Sequence, residues 1–100
     1  MYDVFLSYAR SDRERAEQFQ RAIRRSGWTV WWDADLLPGQ KWNDVIETEL
    51  MAAGAVLVLW SETSVKSEFV CEEARIGREQ NKLVPVTLDG AMPKVGMGQR

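Results

Sequence analysis

Residues 55–60 read AVLVLW, an unbroken apolar run closed by Gly54 on one side and Ser61 on the other. A strand with one wet face alternates between apolar and polar residues. A strand that is apolar at every position is covered on both faces, as in a parallel sheet flanked by helices. This one stretch asks for helices above and below it.

The rest of the chain supplies them. Residues 2–8 (YDVFLSY) are a short run of β-formers and read as a mostly buried strand. Ser11 and Glu14 have the spacing of a capping box, and Asp12 adds negative charge to the first turn of the helix they would open. Ala16, Phe19, Ala22 and Ile23 form its apolar stripe, Arg24 and Arg25 suit its C-terminal end, and Gly27 is the expected stop. Residues 28–32 (WTVWW) read as a strand, and residues 33–41 (DADLLPGQK) as an irregular loop. Trp42, Ile46, Leu50 and Ala53 then mark a second amphipathic helix. Residues 61–66 are a polar loop, residues 68–80 are helical in composition, and residues 82–88 (KLVPVTL) are a fourth strand. Pro85 points to an edge position or a local break in that strand, because proline cannot serve the inner ladder. Residues 89–100 carry three glycines and a proline without periodicity.

Strand and helix alternate, so the expected fold is α/β: βαβ units with right-handed crossovers, a central parallel sheet and helices on both faces. A chain of 100 residues makes one domain, with a core over residues 1–88 and an irregular segment over 89–100. In such sheets ligands bind beyond the carboxyl ends of the strands. That edge gathers residues 7–10, 33–41, 61–67 and the tip after Leu88.

Composition narrows the chemistry. There is no histidine, which removes Ser-His and Cys-His nucleophiles, HExxH zinc sites and histidine general bases together. No metal site is expected. A net charge of −2 on mixed-sign helices offers no basic stripe for nucleic acid. The single cysteine, Cys71, forms no intrachain disulfide and fits a reducing compartment; it reads as a buried small residue. The opening MYDVFLSY is too short and lacks the basic n-region of a signal peptide, and no apolar run is long enough to span a bilayer. Neither GxGxxG nor a Walker sequence is present. Without further information Arg10 reads as a solvated charge, Phe69 as core, Asp33 and Asp35 as loop braces, and Ser61 and Ser67 as caps. Trp31 and Trp32 alternate across their strand, so one packs in the core and the other is left for a pocket or an assembly surface.

Three motifs in order resemble the Toll/interleukin-1 receptor (TIR) family. YDVFLSY is similar to its opening strand, DADLLPGQKW with Pro38 and Gly39 to the loop after its second strand, and LWSETSVKSEFVCEEA to the third strand, loop and helix of bacterial members. NKLVPV is similar to the strand that follows. The resemblance covers nearly the whole chain and implies a flavodoxin-like three-layer sandwich in a cytoplasmic signalling module. TIR domains usually continue with a fifth strand and a closing helix, so the chain resembles one cut short of them.

The resemblance also implies chemistry. Enzymatic TIR domains cleave the bond between nicotinamide and ribose in NAD, and some cyclise the remaining ADP-ribose. Nicotinamide leaves as a neutral base from a cationic precursor, so one carboxylate near the ribose suffices to stabilise the oxocarbenium-like charge. NAD would be substrate, with no cofactor. The family motif puts that carboxylate at Glu73. Glu72 competes, being adjacent and identical in chemistry, though it points about 100° away around the helix. Enzymatic members commonly carry tryptophan four residues before the glutamate; Phe69 stands there, able to stack on a flat ring but lacking the indole N–H. Ser7, Tyr8, Arg10, Trp32, Asp33 and Asp35 would contact substrate. Leu36, Leu37, Pro38 and Gly39 would reach a neighbouring TIR domain, in a homo-oligomer or filament that switches activity on, in antiviral defence.

Two rival readings are a non-catalytic TIR–TIR adaptor and a response-regulator-like receiver. The glutamate at 73 and the bacterial-type segment around it favour an enzyme over an adaptor. A receiver needs an acidic pair after its first strand, and Asp3 lies at the wrong end.

Overall fold

A computed structural model describes residues 2–32 and 44–91, the latter with backbone only at 44 and 45. Four strands, β1 (Val4–Ser7), β2 (Val30–Trp31), β3 (Ala55–Trp60) and β4 (Leu83–Thr87), alternate with three helices, α1 (Arg13–Arg25), α2 (Asp44–Ala52) and α3 (Glu68–Glu79). The strands form one sheet in the order β2-β1-β3-β4, and every pair is parallel. This is the flavodoxin-like arrangement, with β1 and β3 at the centre.

The two-sided covering asked for by AVLVLW is present. On one face Phe5, Val56, Val58 and Trp60 pack against Ile46, Leu50 and Ala53 at α2 and against Val70 and Ala74 of α3. On the other face Leu6, Val30 and Leu59 meet Ala16, with Phe19 and Ile23 of α1 packed beside them. Trp31 and Trp32 divide between these two clusters. Gly77 lets α3 lie close on the sheet: a Cβ there would stand 3.0 Å from Val56 Cβ.

Pro85 lies in β4, at the sheet edge among the described residues. Lys82 O accepts from Val56 N and Leu88 N donates to Trp60 O, so even-numbered residues of this strand bond β3. Pro85 therefore turns its missing N–H outward, where the inner ladder loses nothing.

Three local expectations are corrected. No capping box forms at Ser11 and Glu14: residues Arg10–Asp12 make a 3-10 turn, α1 starts at Arg13, and its preceding residue Asp12 makes no side-chain cap bond. Ala22 is exposed on α1, outside the buried stripe. The second strand is two residues long, and the turn at Gly27 (φ 98°) leaves Trp28 outside it in solvent, 56% exposed. Trp42 and residues 92–100 lie outside the described residues.

The amino edge of the sheet is tied by side chains. Asp3 accepts from the Thr29 amide at 2.8 Å and hydroxyl at 2.9 Å, joining the start of β1 to the lead-in of β2. These bonds, the amide first, hold the Asp3 carboxyl below the usual carboxylate range. Lys82 Nζ donates to the carbonyls of Leu50, Met51 and Ala53 at 2.8–2.9 Å, satisfying the end of α2.

Candidate functional site

The crossovers leave the sheet in opposite directions from β1 and β3, so strand order reverses between them, and the crevice beyond their carboxyl ends is the expected ligand position. Ser7 closes β1 there, paired with Val58 of β3, and is only 2% exposed. Above it runs α3, whose sheet-facing stripe is Val70, Glu73, Ala74 and Gly77. Glu73 thus occupies a core-facing register in an otherwise apolar stripe and is 7% exposed. A carboxyl group withdrawn from water needs a hydrogen-bond partner. Ser7 Oγ donates to Glu73 Oε1 at 2.5 Å.

Glu72 lies in a different environment. It faces solvent, where Arg75 grips it through Nη2 at 2.5 Å and Nε at 3.1 Å while also reaching Glu79 at 2.6 Å. The Arg75 hydrogen bonds hold the Glu72 carboxyl below its ordinary range. Its oxygens are engaged on the outer face of α3, away from the crevice. The sequence carried a signal that separates the two glutamates: the spacing of Val70, Ala74 and Gly77 puts 73 on the inner face and 72 outside.

The remaining candidates scatter around this pair. Phe69, read from residues alone as core, is 53% exposed on the first turn of α3, one turn before Glu73. The neighbouring Val70 takes the inward position on that turn and packs in the sheet cluster. Tyr8 leans on Trp32, ring centroids 6.0 Å apart and tilted by 43°. Trp31 stacks on Phe5 at 5.0 Å. Arg10 is exposed in the 3-10 turn after β1. Asp33, Asp35, Leu36, Leu37, Pro38 and Gly39 lie outside the described residues.

The serines behave as caps and turn-formers. Ser67 precedes α3 and accepts from Val70 N at 3.2 Å. Ser61 and Ser64 bond each other's amides in the turn after β3. Sequence reasoning missed the partner of this turn: Ser61 Oγ donates to Asp12 Oδ2 at 2.5 Å. Cys71 is half-buried with Sγ 3.5 Å from Val65 O, and burial pushes its thiol up. Among the described residues no three acidic or thiol side chains converge to hold a metal ion, and no helix is long and apolar enough to cross a membrane.

A parallel 2-1-3-4 sheet with a buried carboxyl group at its switch point defines a flavodoxin-like α/β module with a polar site on its carboxyl edge. A family profile described as TIR domain matches residues 4–100, and the chain belongs to the TIR domain family. The fold is similar to the TIR domain of the Toll-related receptor TRR-2 from Hydra magnipapillata, at TM-score 0.82 and 21% identity, over 95% of this chain and 77% of that one. It is also similar to a metazoan TIR-STING receptor from C. gigas, at TM-score 0.75 and 27% identity over 92% of this chain. The chain spans 32% of the length of that receptor. The TIR domains of the activated Roq1 resistosome, which recognises the pathogen effector XopQ, align at TM-score 0.67 and 22% identity, over 87% of this chain and 57% of that one. No curated protein matches significantly.

Proposed function

We propose that this TIR domain is an NAD glycohydrolase, possessing cyclase capacity in the same site, that cleaves the nicotinamide–ribose bond with Glu73 as its catalytic carboxylate. The observation that carries the reading is the withdrawal of Glu73 from solvent to the switch point of the sheet, beside Ser7. The nicotinamide–ribose bond breaks with its electron pair going to the pyridinium nitrogen, so nicotinamide departs neutral. The positive charge moves onto the ribose, where the Glu73 carboxylate stabilises it. Water then adds at the anomeric carbon and loses a proton, or a nitrogen of the adenine ring closes there instead.

Phe69 is half-exposed one turn from Glu73 and offers a face for the nicotinamide ring. Tyr8, Arg10 and Trp32 serve the ribose and phosphates, with Asp33 and Asp35 from the segment that follows. Leu36, Leu37, Pro38 and Gly39 contact a neighbouring TIR domain, so that assembly switches the enzyme on in cytoplasmic, immune-type antiviral signalling. The likeness to TIR domains of an activated resistosome supports the assembly part of this reading.

Incubation of concentrated protein with NAD, followed by chromatography of nicotinamide, tests the proposal. Release that is abolished in Glu73→Gln and retained in Glu72→Ala is expected. Loss in Glu72→Ala with survival of Glu73→Gln would move the site by one residue. Absence of turnover in the assembled wild-type protein would put the adaptor reading in its place.

A further inference from the structure

One side chain joins the two turns that flank the carboxyl edge. Asp12 stands immediately before α1, where an aspartate ordinarily caps the helix amides. It makes no such bond. Its carboxyl group accepts instead from Ser61 Oγ at 2.5 Å, across 49 residues of sequence.

That bond fixes the direction of a short relay. With the Ser61 proton committed to Asp12, the Ser61 oxygen is left to accept from Ser64 N at 3.1 Å. Ser64 Oγ accepts from Ser61 N at 2.7 Å and donates to Leu59 O at 2.9 Å. Ser61 and Ser64 are 4% and 0% exposed, so water does not replace a lost partner. The relay continues into α3, because Ser67 N donates to Ser64 O at 3.0 Å and Ser67 is the residue that caps the helix.

We infer that Asp12 is a positioning residue of the site. It sets the turn that launches Phe69 and Glu73 on α3 against the turn that carries Tyr8 and Arg10 after β1. The diverted cap fits this role, since local helix stability is given up for a long-range tie. The effect on turnover rests on the NAD reading; the mechanical tie does not.

The test uses Asp12→Ala, Asp12→Asn, Ser61→Ala and the Asp12→Ala/Ser61→Ala double variant, with two readouts. Amide hydrogen exchange should accelerate about tenfold or more at Ser64 in Asp12→Ala, from loss of one part-buried hydrogen bond to a carboxyl group. Leu57 in β3 should keep its protection. Asp12→Asn, whose amide oxygen still accepts, should restore slow exchange. In nicotinamide release, Asp12→Ala and Ser61→Ala should each lower kcat/KM about tenfold, the double variant no further than either single, and Asp12→Asn should recover most of it. Unchanged Ser64 exchange in Asp12→Ala, or fully additive losses in the double variant, would overturn the inference. A wild-type protein without turnover defeats the NAD reading, and exchange at Ser64 then decides the tie by itself.

Discussion

Ser7 and Glu73, 66 residues apart in sequence, meet at 2.5 Å where β1 ends beneath α3. The hydroxyl is the donor, and the carboxyl group it serves lies in a register that the rest of the helix fills with Val70, Ala74 and Gly77. Replacing the donor and replacing the acceptor should therefore have different consequences. Ser7→Ala leaves a buried carboxyl oxygen short of a partner and should cost about 1–3 kcal/mol in urea unfolding. Glu73→Gln keeps both the volume and an accepting oxygen, so its unfolding midpoint should stay near wild type while nicotinamide release is lost. Equal destabilisation by both variants would argue that Glu73 is there for packing.

Gly77→Ala places a Cβ 3.0 Å from Val56 Cβ and 3.3 Å from both Val56 methyls. Alanine gains up to about 1 kcal/mol over glycine in a helix. Overpacking costs typically about 1–3 kcal/mol. Val56 is fully buried in a central strand and meets the new atom with all three carbons, so rotating its side chain brings no relief. Overpacking should win, and thermal melting should show net destabilisation.

Lys82 offers a check on how α2 is held. Its ammonium group serves three carbonyls at the end of that helix. Lys82→Met keeps most of the stem and removes every donor, so a loss of about 1.5–3 kcal/mol is expected on denaturant titration. Hydrogen exchange should loosen first in the last turn of α2.

Acid should release the clasp between Asp3 and Thr29. The Thr29 amide and hydroxyl depress the Asp3 carboxyl in the folded protein relative to the unfolded chain. The unfolded chain therefore takes up this proton first as pH falls. The clasp contributes its full stability above the ordinary value of 3.8 and loses it as pH drops through the folded value. Asp3→Asn should be less stable than wild type at neutral pH, and the gap should close in strong acid. A gap that persisted unchanged into strong acid would count against this assignment.

Much of the fold was legible because its signals are local. The bounds of β3 follow from the Gly54 and Ser61 that enclose the apolar run, and β3 spans Ala55–Trp60. Ile46, Leu50 and Ala53 face the core as their spacing requires. The start of α1 was misread, because Ser11 and Glu14 satisfy a pattern that ignores distant competitors for the neighbouring Asp12. The structure sends that carboxyl group to Ser61. Phe69 was a matter of helix register: its residue type suggested core, but Val70 takes the inward position beside it. The two long-range bonds at the carboxyl edge span 49 and 66 residues, which no periodicity encodes. Placing Glu73 inward and Glu72 outward needed only the stripe of Val70, Ala74 and Gly77, so that part was within reach.

The outward turn of Pro85 bears on what happens when many copies crowd together. The outer side of β4 presents residues 83, 85 and 87, and the middle one has a carbonyl but no hydrogen to give. A foreign strand sliding along this edge meets a missing rung. It must strand one of its own carbonyls there, at about 1–3 kcal/mol if buried. Among the described residues, then, the outer rim of the sheet penalises indiscriminate zippering of sheet onto sheet at its midpoint.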